Sequence, residues 1–336
     1  MNAADVFVVV HREAPALAST LAGVAAQTVR PGTVVVVHNE PDGDALDVSR
    51  AFAASLPIEI VTFDRNRGFT GGANEGIRRT RAPWVLSLNP DCRLAPDFLE
   101  RLLATAQPER RCGAASGLLL RASGPDLVPC DEVDSAGMVV TRSGRHFDRG
   151  SGLPVEASFL RPAWVFGATG AAALYRREAL EDVAYPGGEV FDDRFFAYRE
   201  DADLAWRLQR RGWTCLFWPA ARGWHARGLR PESGRRGTPE INRHSVRNRF
   251  LLRWANADWR WRVCCFPQWL LRDVVVVAAC LTVERSSLPG LAEAWRARRA
   301  QLRRGRDNAA RAVVPGSVIG RWFTSRGRVV PLEEPA

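Results

Sequence analysis

Lysine is missing from this 336-residue chain, and all 47 basic side chains are arginine, set against 37 carboxylates. A net charge of +10 ordinarily points to nucleic acid or anionic lipid. Arginine used to the exclusion of lysine, beside abundant Ala, Gly and Val, reads as compositional bias, so charge carries meaning only where arginines cluster. Without lysine no Gly-Lys-Ser/Thr can close a P-loop, and no Gly-x-Gly-x-x-Gly turn marks a dinucleotide fold. A dinucleotide-dependent oxidoreductase therefore loses its main signature. A non-enzymatic basic nucleic-acid binder would use the arginines, but no recognised nucleic-acid motif accompanies them.

Cysteine is sparse and unpaired in pattern. Seven residues, with no Cys-x-x-Cys among them, argue against a disulfide framework and a structural zinc site, and for a reducing compartment. The start, "MNAADVFVVV", enters a strand with no leader-like basic region. The longest apolar run, Val274 to Val283, is too short to span a bilayer. The expectation is a cytoplasmic protein, at most peripheral on the inner face of the plasma membrane.

The first hundred residues alternate strand and helix. Strands are expected at Val6–Val10, Thr33–Val37, Ile58–Phe63 and Trp84–Leu88, with helices between them, the third from about Gly72 to Arg79. This rhythm predicts an α/β fold with a mostly parallel, Rossmann-like sheet and helices on both faces. Residues 112–160 are polar and Gly-rich with short strand-like pieces. The last eighty residues are helical and basic. The expected organisation is a catalytic domain over 1–255, divided into a nucleotide-binding half (1–110) and an acceptor half (111–255). A helical extension follows over 256–336.

Three stretches carry chemistry. In "WVLSLNPDC" a buried strand stops at Pro90, which cannot donate to a ladder, and Asp91 stands at the carboxyl edge where open α/β sheets bind ligands. In "YREDADLAWRLQRRG" Asp201 shares the inward face of Leu204, Ala205 and Leu208. Asp203 points elsewhere and reads as one half of an exposed i,i+4 ion pair with Arg207. After the strand "TCLFW", a loop containing "GWHARG" offers His225. A continuous sheet would let Asp91, Asp201 and His225 converge. The turn "NRGFTGGANEGI" places glycines between a strand and a helix, where backbone N–H groups approach a phosphate or ribose.

Together these pieces resemble family 2 glycosyltransferases of the GT-A fold, particularly the rhamnosyltransferase-like branch. The matching segments, in family order, are a Val-rich first strand, "AAQTVRPGTVVVVHNEPDG", "NRGFTGGANEGI", "LSLNPDCRLAPDFLERLL", "GAAALYRREAL", "FDDRFFAYREDADLAWRLQRRGW" and "GWHARG". They span roughly residues 5 to 255. The resemblance implies that Asp91 binds metal and diphosphate, with Asn89 at the first position of the family's acidic motif. It further implies Asp201 as catalytic base and His225 as a second metal ligand. Asn66, Gly68, Gly72 and Asn74 match the segment under the nucleotide, and Asn39 the position that touches the base. The chain departs from the family at His11 and His38, both expected in the base and ribose pocket.

The chemistry of such a site is consistent with those roles. A departing nucleoside diphosphate needs a divalent cation, Mg²⁺ or Mn²⁺, and the acceptor hydroxyl needs one base. One base without a carboxylate nucleophile implies inversion. The expected donor is dTDP-rhamnose, with UDP-galactofuranose or another UDP-hexose as the alternative. The expected acceptor is a cell-wall or surface glycan, free or lipid-linked, and no nucleic-acid partner is expected. In "LAEAWRARRAQLRRGR", Leu291, Trp295 and Leu302 oppose many arginines, which fits a solvated basic helix or one lying on an anionic membrane.

Overall fold

The computed structural model describes residues 3–12, 15–41, 43–227 and 238–332. Strands β1 (Ala4–His11), β2 (Val34–Asn39), β3 (Ile58–Phe63) and β4 (Trp84–Leu88) alternate with helices α1 (Leu17–Ala25), α2 (Ala45–Ala51) and α3 (Gly68–Arg79). The four strands are parallel, with Val6 opposite both Val34 and Leu86. Their valine runs are buried because each face is covered. Val6, Val8 and Val10 join Leu17, Leu21 and Val24 of α1 on one side. Phe7 and Val9 join Ala73 and Ile77 of α3 on the other. The period of two sends alternate residues to opposite layers. Helix α3 begins one turn earlier than Gly72, because Gly68 adopts φ +72°, the region that favours glycine.

The rest of the sheet is mixed rather than mostly parallel. After β5 (Cys92–Leu94) and α4 (Phe98–Ala106) come β6 (Cys112–Ser123), β7 (Val128–Ser135), β8 (Met138–Val140), β9 (His146–Asp148), β10 (Ala163–Val165) and β11 (Ala172–Arg176). Helices α5 (Arg177–Val183) and α6 (Glu200–Arg210) precede β12 (Thr214–His225). β11 is antiparallel to both β4 and β6, whereas β12 is parallel to β6. Between β6 and β11 no α-helix supplies the long crossover that parallel neighbours need, and β6–β7 and β8–β9 pair antiparallel. β12 also runs seven residues beyond the expected "TCLFW". Its register against β6 shifts between Trp218 and Arg222, an irregularity that accommodates Pro219, and the strand ends at His225 itself rather than before a loop.

The C-terminal residues share the core of what precedes them. Helices α7 (Pro239–Asn256), α8 (Trp259–Cys264), α9 (Gln268–Leu281), α10 (Leu288–Ala310) and α11 (Gly316–Ile319) lead to β13 (Val330–Pro331), which pairs with β10 at the sheet edge. Leu251, Trp261, Ile319 and Phe323 form one apolar cluster with Met138, Phe166, Phe195 and Trp206. The inward face of α10 is not the Leu/Trp stripe: Gly290, Ala294, Gln301 and Asn308 are buried, while Trp295 is 69% exposed. A Cβ on Gly290 or Gly305 would meet the α7 carbonyls of Arg243 or Trp254, so small residues let the two backbones approach closely. Gln301 donates to the buried Asp192, and Asn308 to the carbonyl of Ala255. Among the described residues no single helix is long and apolar enough to cross a membrane.

Candidate active site

Asp91 is brought to His225 by strand pairing. Pro90 ends β4, and the N–H of Asn89 donates to Ala171 O at 2.9 Å. The chain turns into β5, which runs antiparallel to the end of β12 and sets Cys92 opposite His225. The N–H of Ala226 then donates to Asp91 O at 2.9 Å. The result is a separation of 3.2 Å between His225 Nε2 and Asp91 Oδ1, with 33% of the Asp91 side chain open to solvent and His225 buried.

Behind the imidazole stands a carboxylate that no sequence pattern marked. His225 Nδ1 lies 2.8 Å from Oδ2 of the fully buried Asp134. Arg227 Nε donates to the other oxygen of Asp134 at 2.8 Å, and the same guanidinium pairs with Asp148. Burial works against a charged His225, but its bonds to Asp134 and Asp91 prevail and raise it to about 9. Burial likewise disfavours an ionised Asp134, yet His225 and Arg227 outweigh it and hold the carboxyl below its usual range.

Asp201 lies in the first turn of α6, after a strained approach. Phe196, Tyr198 and Arg199 all have positive φ, at 64°, 71° and 73°. Non-glycine residues persist there only when their surroundings over-determine them. Helix α7 does so: Asn248 Nδ2 lies 2.9, 2.7 and 2.7 Å from the carbonyls of Phe195, Ala197 and Tyr198. Asp201 Oδ1 accepts from the N–H of Ala202 at 2.7 Å. Its other oxygen would lie 3.5 Å from a Cβ on Gly170, so the turn before β11 runs against this carboxylate. Gly170 adjoins Ala171, the residue bonded to Asn89. Asp201, through Gly170, and the Asn89–Asp91 turn, through Ala171, thus both neighbour the start of β11, and His225 pairs with Asp91.

The two carboxylates at the start of α6 differ. Burial, and then the charge of Asp148, pushes Asp201 up to about 6. Burial and the neighbouring Asp201 raise Glu200 further, and its Oε2 is buried without a hydrogen-bond partner. Both groups are thus disfavoured as anions, Glu200 more than Asp201, and they titrate as an interacting pair. A base is active when deprotonated, so if Asp201 is the base kcat/KM should fall as pH drops through about 6. In Asp148→Asn that acid limb should move to lower pH, because a charge opposing ionisation is gone and Arg227 is less neutralised. A pH profile of both proteins reads this directly, and an unmoved limb contradicts the assignment.

Asp203 corrects the expectation of an exposed pair. It is fully buried, with Arg207 Nε at 2.9 Å and Asn256 Nδ2 donating at 2.7 Å. Helix α7 covers the face that periodicity alone assigns to solvent. Removing one partner of a buried pair typically costs about 3–5 kcal/mol. Asp203→Ala should lose stability on that scale in urea unfolding, and a loss below about 1 kcal/mol, the range of exposed pairs, would contradict the burial.

Of the residues expected beside the nucleotide, His11, Asn39, Asn66 and Gly68 form one network. Asn39 Nδ2 donates to Asn66 Oδ1 and to Gly68 O, both at 2.9 Å, and Asn39 Oδ1 accepts from the N–H of Arg67 at 2.7 Å. Asn66 Oδ1 also accepts from the N–H of Gly68, and His11 Nε2 lies 2.8 Å from Asn66 Nδ2. Both amide hydrogens of Asn39 are thus committed to shaping the turn. Gly72 faces Val9, whose Cγ1 would lie 2.6 Å from an added Cβ, so its place in the fold is close helix–sheet packing. Asn74 binds Val190 and Phe191 through backbone groups and Asp193 through its carboxylate. That fixes the loop before α6. His38 is turned from this network: it is buried on Ser49 Oγ at 2.9 Å, and burial lowers it to about 4.

The fold defines the class: a GT-A-type α/β protein, here with an acid–imidazole pair at the strand ends. Residues 5–184 match the sequence profile of Glycosyl transferase family 2. The chain belongs to this family and is a sugar-transferring enzyme. It is 26% identical over 307 residues to N-acetylglucosaminyl-diphospho-decaprenol L-rhamnosyltransferase of Mycobacterium tuberculosis, an alignment covering 84% of this chain and 93% of that protein. Among solved structures, GalNAc-T7 with UDP, GalNAc and Mn²⁺ superposes with a TM-score of 0.58 at 15% identity, over 77% of this chain and 48% of that one. This chain thus spans about half the length of GalNAc-T7. A mannosyltransferase from Pyrobaculum calidifontis with GDP-Man and Mn²⁺ gives a TM-score of 0.54 at 18% identity, over 95% of this chain and 87% of that one.

Proposed function

We propose that the protein is a metal-dependent, inverting glycosyltransferase that moves rhamnose from dTDP-rhamnose to a lipid-linked diphosphate glycan at the cytoplasmic face of a membrane. The observation that carries the proposal is the Asp91–His225 pair, backed by Asp134. Asp91 Oδ1 and His225 Nε2, 3.2 Å apart at the strand ends, would together hold a divalent ion. Nδ1–H donation to Asp134 leaves Nε2 as the metal-facing nitrogen and fixes the tautomer. A nitrogen donor favours Mn²⁺ over Mg²⁺. A divalent ion held there would supply neutralisation of charge on the departing diphosphate.

The chain's own residues supply the rest. Asp201 takes the proton of the acceptor hydroxyl. The turn held by Asn39, Asn66 and Gly68 lies beside His11 as the floor for the nucleoside. One base and no carboxylate nucleophile support a single displacement with inversion. The donor and acceptor follow the mycobacterial relative, whose name specifies an L-rhamnosyl group and an N-acetylglucosaminyl-diphospho-decaprenol substrate.

The test is a panel of dTDP-, UDP- and GDP-sugars with Mn²⁺, read as thermal shift and then as transfer to a prenyl-diphosphate-linked N-acetylglucosamine. Stabilisation and transfer with dTDP-rhamnose are expected. A response confined to UDP-galactofuranose or another UDP-hexose would reassign the donor, and no response to any nucleotide sugar would refute the proposal.

A further inference from the structure

Beyond the donor site, the described residues enclose a cavity of about 320 Å³ lined by Arg145, Arg199, Arg249 and Arg272, with Ser245 and Glu284 on its wall. The four guanidinium groups outnumber the nearby carboxylates, which are Glu284, Asp273, paired with Arg249 at 3.3 Å and also with Arg253, and Asp201, whose charge favours Arg199. Arg272 Nε is buried without a hydrogen-bond partner. Burial, with Arg249 and Arg145 adding, lowers Arg199 to about 9, and burial with Arg272 lowers Arg145. Cations that disfavour one another in a recess are stabilised by an anion placed among them.

The position of the cavity selects which anion. Arg199 stands two residues before Asp201, and its Nη1 lies 3.5 Å from Nδ1 of His146, on the strand that ends at Asp148. The cavity is therefore next to the base, and Ser245 of α7 holds the intervening arginine through its carbonyl at 3.2 Å. Its other wall is α9, where Arg272, Val276 and Cys280 recur every four residues on the cavity side. The flank of the same helix carries Leu271, Val274 and Leu281, which are 65%, 58% and 56% exposed. A recess of arginines bordered by an exposed apolar face suits a ligand that is anionic at one end and hydrocarbon at the other.

We infer that this four-arginine cavity binds the diphosphate of a prenyl-linked acceptor, with the hydrocarbon leaving along α9. The inference rests on the lipid-diphosphate acceptor proposed above. It assigns membrane engagement to α9, rather than to the arginine-rich α10, whose inward face packs on α7. Guanidinium forks pair bidentately with phosphate oxygens, and removing one such charge-assisted hydrogen bond should weaken binding by about tenfold or more.

The test compares wild type, Arg145→Gln/Arg272→Gln and Arg145→Lys/Arg272→Lys. Three probes are used: a farnesyl-diphosphate-linked N-acetylglucosamine, the same sugar on farnesol without diphosphate, and phosphatidylglycerol vesicles. The Gln pair should raise KM for the diphosphate acceptor about 100-fold while KM for the donor stays within twofold, with partial rescue by the Lys pair. KM for the acceptor lacking diphosphate should be high in wild type and unmoved by the substitutions. Wild type that uses the diphosphate acceptor, with KM unchanged in the Gln pair, overturns this site alone. Loss of vesicle binding with an unchanged acceptor KM also overturns it, in favour of a general anionic surface. Wild type that ignores every prenyl diphosphate overturns both this site and the proposed acceptor.

Discussion

Asp201→Asn is expected to reduce sugar transfer by about 10²-fold or more while binding the nucleotide-sugar nearly as tightly as wild type. General-base catalysis contributes about 10²–10⁴-fold, and an amide of the same size cannot take the proton. The N–H of Ala202 still has an oxygen to bond in the variant, so the α6 turn keeps its geometry. A group that acts mainly in the transition state lowers kcat and kcat/KM together. Glu200→Gln is the control beside it. Glu200 is buried, and burial with the charge of Asp201 beside it raises its carboxyl above the usual range, so its amide should retain most of the turnover. Transfer and nucleotide affinity measured side by side decide between the two carboxylates. High turnover in Asp201→Asn, with collapse in Glu200→Gln, would exchange their roles.

The second large effect is expected at the acid–imidazole pair. His225→Ala and Asp91→Ala should each abolish the Mn²⁺-dependent part of nucleoside diphosphate affinity, leaving only the binding seen with chelator. Asp134→Asn should cost about 10- to 100-fold in apparent metal affinity, the range for a group that orients a ligand without touching the ion. The graded order, with ligands above the orienting carboxylate, separates a metal site from a structural ion pair. A purely structural pair would lower the melting temperature in all three variants and leave the Mn²⁺ dependence intact. Calorimetric titration with and without Mn²⁺ distinguishes these outcomes.

Much of this was readable from the chain because it rests on local signals. β3 and β4 coincide with their expected bounds, and β1 and β2 lie within two residues of theirs, since valine runs between turn residues have few alternatives. Asp91 and Asp201 stood out because each occupies a boundary, a strand end or a helix start, where a carboxylate needs a reason. Asp134, Asp148 and Arg227 did not, because their relation exists only after β12 pairs with β6 and β6 with β7. No periodicity in residues 112–160 records pairings that distant. Residue type also does not show where an amide's own hydrogen bonds go. Asn39 and Asn74 match nucleotide-side positions, yet their hydrogen bonds are directed to the Gly68 turn and the 190–193 loop. In α10 small residues prevail over the apolar stripe, since close approach of two backbones selects Gly and Ala over Leu and Trp.

The central claim is that one divalent ion, held by Asp91 and His225, lies beside the head of β11 with Asp201 across from it. Crystals grown with MnCl₂ and dTDP, with diffraction recorded at the manganese absorption edge, test it most directly. The account predicts one anomalous peak within bonding distance of Asp91 and His225 Nε2, touching the diphosphate, while Asp134 still accepts from Nδ1. A bound diphosphate with no peak there, or a peak that leaves His225 on Asp91, would contradict it.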